Sequence, residues 1–473
     1  MLGKVVSYID GLKNDPVTTI SIELEKGLQR AFEEYFTKKH ERKMQVFVSG
    51  RGEKTYIFPW ADEEGYRDFV LDTERFRNEV VVKLGQYIHA TGHKPGCAKL
   101  KGYKMIGFRS QDRKTIMATG QGRFPIRVVQ CKDCGEKFSL LPSFLPREKH
   151  FGIDIIGHVF QNMLCFSQSL QSTLENLKVI KRGVKSKQTI LNWLRWMGTL
   201  HPATILTRSG IAGTGYFQED EGFEKEPNLR TYTVFMVEPK TLLVWHADYL
   251  DHVDEEDLCS SFERFLQRVA FKVLGITKDK WEASTKAVKA VFKGIWVGFC
   301  HRHCLEKFRH ALIKYQEQTQ CSDAQRGRLY REFKKILETS NSKVCVEVKI
   351  KALDDPAFQH PFLQERLTEL QENASHYAAH KRRNGLTKTT SLVDNFLKLI
   401  KRKLTMAQSF RDKACAHILF QALANTRNFL PFLPGAKNAH KSPFMLSGGQ
   451  TFDLPWMQVM NIHNAFLFTP NAC

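Results

Sequence analysis

The sequence predicts an α/β protein: a mixed β-sheet with acids at its strand ends, interrupted by a helical insertion and preceded by a basic cysteine-containing segment and a helical pair. Three observations carry that prediction. Strand signals at 231–237 and 241–245 flank the turn Glu238-Pro239-Lys240. Acidic residues gather just ahead of this hairpin and again after 275, at positions that fit strand ends. The stretch 303–380 reads as almost entirely helical.

Composition bounds the rest. The chain has 473 residues, 42% of them apolar and 11% aromatic, enough to bury real cores and to exclude disordered or collagen-like architecture. With 71 Lys and Arg against 50 Asp and Glu, the net charge of +21 argues for a polyanionic partner. No run of 18 uncharged apolar residues occurs, and the start of the chain mixes Lys4, Asp10, Lys13 and Asp15, so a soluble intracellular protein is expected. Eleven scattered cysteines do not form a disulfide scaffold.

Residues 1–90 contain a predicted amphipathic helix over 21–39, with Ile22, Leu24, Leu28, Phe32 and Phe36 at near-helical spacing. The segment 49–55 resembles a phosphate loop only superficially, because Glu53 separates Gly52 from Lys54. No role follows for this region.

Residues 91–150 form the basic segment. Between Cys97 and His150 there are twelve basic and four acidic residues, interleaved with Tyr103, Phe108, Phe124 and Phe138. Cys131-Lys-Asp-Cys134-Gly has the two-residue spacing that lets two thiolates reach one tetrahedral zinc from a tight knuckle. His93 and Cys97 would complete a structural Zn2+ site, with His89 as the substitute for His93. This is a zinc-ribbon-like region expected to bind DNA.

Over 151–205, two helical patterns are separated by a linker and rich in cations, which reads as a helix-turn-helix. Ser186 would cap its second helix, from which Lys185, Lys187, Gln188, Asn192 and Arg195 would reach DNA.

The balance reverses between 216 and 300, with fifteen acidic against eleven basic residues. Phe217-Gln-Glu-Asp-Glu221 precedes the hairpin, and Gly275-Ile-Thr-Lys-Asp279 follows a helical stretch. This layout suits a ribonuclease-H-like (retroviral-integrase-type) sheet, in which gathered carboxylates hold two divalent cations. Alternation along a strand turns Glu219 and Glu221 to one face and Asp220 to the other, which alone leaves the choice of first acid open. Cys300 and His303, with His301 and Cys304 nearby, could coordinate an ion but read as a structural knuckle.

These parts resemble, in order, the DDE transposases of bacterial insertion sequences, with similarity also to Mutator-like transposases. The resemblance runs from about Cys97 to Gly448: the ribbon ending at 131–146, the helix-turn-helix, Gln218-Glu-Asp-Glu-Gly222, Asp279, Cys300-His-Arg-His303, the helix of Thr389-Thr-Ser-Leu-Val-Asp394-Asn-Phe, and the tail Ser442-Pro-Phe-Met-Leu-Ser-Gly448. It implies Asp220, Asp279 and Asp394 as catalytic ligands of two Mg2+ or Mn2+ ions, and it selects Asp220 as the first acid. It implies a metal-dependent enzyme that binds the terminal repeats of a mobile element, cleaves DNA and transfers the strand. Double-stranded DNA, a homodimer or larger homo-oligomer, and a cytoplasmic, nucleoid-associated setting follow from the same resemblance.

The division implied is 206–302 for the first part of the catalytic core, 303–385 for a helical insertion, 386–435 for the end of the core and 436–473 for a tail. The sequence departs from the family at the third acid, commonly Glu and here Asp394, with Glu369 and Glu372 as fallback ligands. That departure keeps a catalytically inactive or domesticated DNA-binding protein as the alternative, beside a nuclease acting on RNA or hybrids. Around Asp394, the cations Lys381, Arg382, Arg383, Lys398, Lys401, Arg402 and Lys403 would hold the phosphate backbone.

Overall fold

A computed structural model describes residues 54–61, 63–84, 102–147, 149–166, 168–179, 183–184, 186–225, 230–250, 252–407 and 413–465. The helix expected over 21–39, the segment 49–53, His89, His93, Cys97 and Lys185 lie outside the described residues, as do the side chains of Lys401, Arg402 and Lys403. The chain is of the α/β class and divides into two compact units, 1–153 with 461–473 and 154–460.

The first unit contains a four-stranded sheet in the order β1-β6-β5-β2. Strands β5 (Arg127–Cys131) and β6 (Lys137–Pro142) form an antiparallel hairpin, and β2 (Tyr103–Phe108) adds to β5 across a bulge at Met105/Gly107. Strand β1 (Lys54–Phe58) pairs in parallel with β6, pairing Tyr56 with Leu140. A separate hairpin joins β3 (Arg113–Ile116) to β4 (Gln121–Phe124). Aromatic side chains of the sheet and of helices α1 (Tyr66–Leu71) and α2 (Thr73–Phe76) fill the core, with Phe58, Tyr66, Phe69, Phe76 and Phe138 almost wholly enclosed. Arg127 is buried among them: its guanidinium lies 4.2 Å from the Phe108 ring and donates through Nε to the Val70 carbonyl.

The second unit is built on a five-stranded sheet ordered β11-β10-β7-β8-β9. Strands β7 (Tyr216–Lys225), β8 (Arg230–Val237) and β9 (Val244–Leu250) run antiparallel, with Asp220 opposite Phe235. Strand β10 (Gly275–Lys278) is parallel to β7, and β11 (Trp296–Phe299) is parallel to β10. Parallel neighbours need crossovers. Helix α7 (Glu255–Leu266), capped by Asp254, lies between β9 and β10, and α8 (Glu282–Val291) lies between β10 and β11.

The four helices preceding the sheet are α3 (Ile153–Cys165), α4 (Leu170–Val179), α5 (Lys187–Gly198) and α6 (Pro202–Arg208). The linker expected between two helices therefore holds a helix of its own, seated through Thr173, Leu174 and Leu177. Beyond β11 come α9 (His301–Thr319), α10 (Asp323–Thr339), α11 (Lys343–Lys351) and α12 (Pro361–Glu372), with Phe308 of α9 stacked on Phe333 of α10 at 3.8 Å. Helices α13 (Ser391–Ala407) and α14 (Lys413–Phe429) close the unit. Their apolar faces, with Val393, Phe396, Leu397 and Phe420, pack on Phe235, Ala247 and Tyr249 of the sheet.

Edge strand β9 is protected by a side-chain amide. Asn428 of α14 accepts from the Val244 N–H and donates to the Val244 carbonyl, both at 2.8 Å, where a further strand would otherwise pair.

On the other sheet face lies a hydrogen-bonded chain of buried side chains. The Ala203 N–H donates to His201 Nδ1, which leaves the His201 proton on Nε2 to donate to His246 Nδ1 at 2.9 Å. His246 Nε2 then donates to Ser261 at 2.8 Å, and Ser261 donates to Asp248, which also accepts from Arg264. Burial pushes the His246 pKa down to about 3 and holds His201 well below its usual value.

A depressed histidine pKa means that the unfolded chain takes up the proton first as pH falls. The stabilisation is complete above pH 6.5 and is lost as pH falls towards 3. Wild type should therefore lose its advantage over His246→Asn by about 1.4 kcal/mol per pH unit within that window. Denaturant unfolding of both proteins between pH 7 and 4 measures this, and parallel curves would contradict a buried neutral His246.

Candidate metal centre

Strand β7 is central in its sheet, and its alternation sorts the acidic run 219–221 between two faces. Glu219 and Glu221 turn towards Lys278, whose Nζ lies 3.5 and 3.8 Å from their carboxylates; all three side chains are almost fully enclosed. Burial alone would lower the Lys278 pKa, but the two glutamates outweigh it and hold the amine charged. Ser284 of α8 also donates to Glu219. Burial and the Glu221 charge push the Glu219 carboxyl well above its usual range, so two full negative charges do not stand against the one ammonium on the face covered by α7 and α8.

Asp220 points the other way, towards α13. Three contacts bring that helix in close. Gln218 Oε1 accepts from the backbone N–H groups of Leu392 and Val393, satisfying donors that a helix start leaves without intrahelical partners. Thr277 at the end of β10 donates to the Thr387 carbonyl and accepts from the Thr387 N–H. Gly222 lies where a Cβ would come within 2.9 Å of Leu397 and 2.3 Å of Thr233. Asp394, in the first turn of α13, is thereby placed against β7.

The result is a compact group of donors. Carboxylate oxygens of Asp220 and Asp394 and a ring nitrogen of His303 all lie within 4.8 Å of one another. Asp279, just past β10, has Oδ1 3.7 Å from His303 Nδ1. Arg302 NH1 lies 2.9 Å from Asp394 Oδ2.

Burial, joined by the hydrogen bond to Asp394 and the Glu221 and Asp394 charges, pushes the Asp220 carboxyl up to about 8. The His303 ring is raised to about 9 by its hydrogen bond to Cys300 and by Asp279, Cys300 and Asp220, against the opposing effect of burial. For Cys300, burial works upward, yet hydrogen bonds with His303 and Thr390 outweigh it and hold the thiol below its usual value. Cys300 Sγ accepts from both the N–H and the hydroxyl of Thr390, each at 3.4 Å.

These residues fit a divalent cation. Asp220, held protonated beside Asp394, can exchange that proton for a divalent cation that both carboxylates would share. The oxygen-rich donor set suits a hard ion.

The other expected site residues fall out as follows. Glu369 is paired with Lys280 at 3.1 Å and Arg366 at 2.6 Å, and Glu372 is exposed; neither joins Asp220 and Asp394. On α5, Lys187 is exposed, Gln188 donates to Asn192, and Arg195 turns to Cys415 of α14. Lys381 donates to the Glu338 and Ser340 carbonyls, Arg382 to that of Asn341, and Arg383 lies 4.4 Å from the Trp296 ring; Lys398 is exposed.

In the first unit, Cys131 and Cys134 occupy the turn between β5 and β6. There the Gly135 N–H donates to the Cys131 carbonyl, and Gly135 has φ +72°, which its missing Cβ permits. The chain enters β2 beside this turn, since the Lys132 N–H donates to the Gly102 carbonyl.

His303 is the participant that the sequence reading set aside as structural. Its signal was positional: Cys300 directly follows β11, so residue 303 falls in the first turn of the next helix, above the strand ends. His301 is committed elsewhere, to the Tyr377 carbonyl at 2.8 Å.

No known protein-family model matches the chain, and no curated protein matches it.

Proposed function

We propose that this protein is a DDE-type DNA transposase that binds the ends of a mobile element and catalyses metal-dependent strand cleavage and strand transfer. The observation that carries this reading is the meeting of Asp220 and Asp394, acids far apart in sequence, beside His303, with Asp279 3.7 Å from that histidine's ring, all against a five-stranded sheet. Three antiparallel strands followed by two parallel ones joined through helices support a ribonuclease-H-like core.

Asp220 and Asp394 would hold divalent cations, Mg2+ or Mn2+, with Asp279 completing the set. Such ions activate a hydroxyl nucleophile and stabilise the leaving oxygen at phosphorus. Water would attack the phosphodiester at the element end, leaving a 5′-phosphate and a free 3′-hydroxyl, and that hydroxyl would attack a target phosphodiester, a new P–O bond forming as the target's own 3′-oxygen leaves. Arg302, partly exposed beside Asp394, is placed to hold a phosphate next to the acids.

Exposed Lys187 and Lys398 support a DNA-facing surface. The Cys131/Cys134 turn supports half of a structural zinc site, with His93 and Cys97 as the proposed other half. Two copies on paired element ends would form the working assembly.

The direct test is cleavage of duplexes carrying the inverted repeats that flank the gene, with Mg2+ or Mn2+. Wild type should nick at the repeat ends, and Asp279→Asn should bind them equally well without cutting. Binding without cleavage by both would leave the DNA-binding role and remove the enzymatic one.

A further inference from the structure

We propose that His303 is itself a ligand in the metal centre, making it a mixed oxygen–nitrogen site that prefers Mn2+ over Mg2+. This inference rests on the metal-centre reading above and deepens it.

Three observations support it, the second and third sharing the Cys300–Thr390 contact. A ring nitrogen of His303 shares the 4.8 Å cluster with oxygens of Asp220 and Asp394, so one ion can touch all three groups without rearranging the backbone. The ring hydrogen-bonds with the Cys300 side chain, and Cys300 is itself fixed, its N–H donating to the Lys278 carbonyl at 2.8 Å and its Sγ accepting twice from Thr390. Finally, Thr390 immediately precedes α13, so one short linkage fixes the histidine and the helix bearing Asp394 relative to each other. Metal-bound imidazoles characteristically rest on such an orienting partner.

The chemical consequence is selectivity. Magnesium demands a nearly ideal oxygen octahedron and gives up water reluctantly, whereas first-row transition ions accept imidazole readily. Manganese tolerates both kinds of donor. A centre with one nitrogen among its ligands should therefore bind Mn2+ more tightly than an all-oxygen centre of the same charge.

The test uses full-length protein labelled with 15N-histidine and Mn2+ as the probe, read by pulsed electron paramagnetic resonance and by titration of free Mn2+. Wild type should bind Mn2+ with a nitrogen hyperfine coupling. His303→Gln should lose the coupling and bind Mn2+ about tenfold more weakly or worse, at least as much as an outer-shell partner is worth. His303→Asp, which keeps a ligand at the position, should regain affinity without the coupling and narrow the preference for Mn2+ over Mg2+. Circular dichroism confirms that each variant is folded.

If Asp220→Asn abolishes Mn2+ binding but wild type has no nitrogen coupling, the centre is all-oxygen; if the coupling persists in His303→Gln, another histidine supplies the nitrogen. The inference then falls while the metal-centre reading stands. If wild type binds no Mn2+ at all, both fall.

Discussion

Asp220→Asn is expected to lower strand cleavage by on the order of 10³-fold or more, while making the metal-free protein more stable at neutral and alkaline pH. The two effects have one cause. Asp220 is 8% exposed and shares its space with Asp394, an arrangement that is costly without a cation and useful with one. Asparagine keeps the shape but cannot ionise, so the ion loses an anionic ligand and the apo protein is spared the cost of protonating or burying a carboxylate there. Such a gain in stability alongside lost function is characteristic of groups held under strain for their chemistry.

The pH dependence follows from the direction of the shift. The Asp220 carboxyl is raised from 3.8 to about 8, so across that window the folded state keeps a proton that the unfolded chain has released. Its contribution to stability is complete below pH 3.8 and is lost as pH rises through 8. His303, raised to about 9, adds a loss of the same sign between 6.5 and 9. In the presence of a chelator, the thermal midpoint of wild type should therefore fall relative to that of Asp220→Asn as pH rises from 5 to 9. A variant that melts below wild type at pH 8 would mean that the two carboxyls do not oppose each other.

How much of this was legible in the sequence depended on the range of the interactions. The hairpin at 231–245, the strand ahead of Asp279 and the helix bearing Asp394 are local patterns; β8, β10 and α13 occur where those patterns lie, while the second hairpin strand, expected over 241–245, runs over 244–250 after a longer turn. The alternation at 219–221 is equally local: Glu219 and Glu221 face Lys278, and Asp220 faces Asp394. What was not legible depends on distant partners. Periodicity marks α5 as amphipathic but does not reveal that Asn425 of α14 donates to its Met197 carbonyl, or that Gly198 has no room for a Cβ against the Ile418 carbonyl. Arg127 counts as a cation in the basic segment, yet its aromatic cage is assembled from Phe76 and Phe108. His303 belongs to the same class, because its meaning arises only when β7, β11 and α13 come together.

Gly222→Ala is expected to reduce cleavage by about 100-fold, because it should displace the third acid without touching any ligand. Gly222 lies two residues beyond Asp220 on the same face of β7, and its missing side chain lets α13 approach. A Cβ there would come within 2.3 Å of Thr233 Oγ1 and 2.9 Å of Leu397 Cδ2. The hydroxyl can rotate, but Leu397 is 4% exposed and wedged in the cluster with Phe235, Phe396 and Ile400, so the helix must yield. Leu397 follows Asp394 by three residues and shares its helix face, so an outward shift at 397 is carried to the carboxylate. Gln218 pins the first turn through Leu392 and Val393, which makes the displacement a tilt of the helix. Aspartate, one methylene shorter than glutamate, leaves little reach to compensate. Overpacking of this kind costs about 1–3 kcal/mol, so the variant should fold while losing affinity for Mn2+. Leu397→Val in the Gly222→Ala background should restore part of both binding and cleavage by returning the space on the helix side. Full activity in Gly222→Ala alone would show that the approach of α13 is not what sets the position of Asp394.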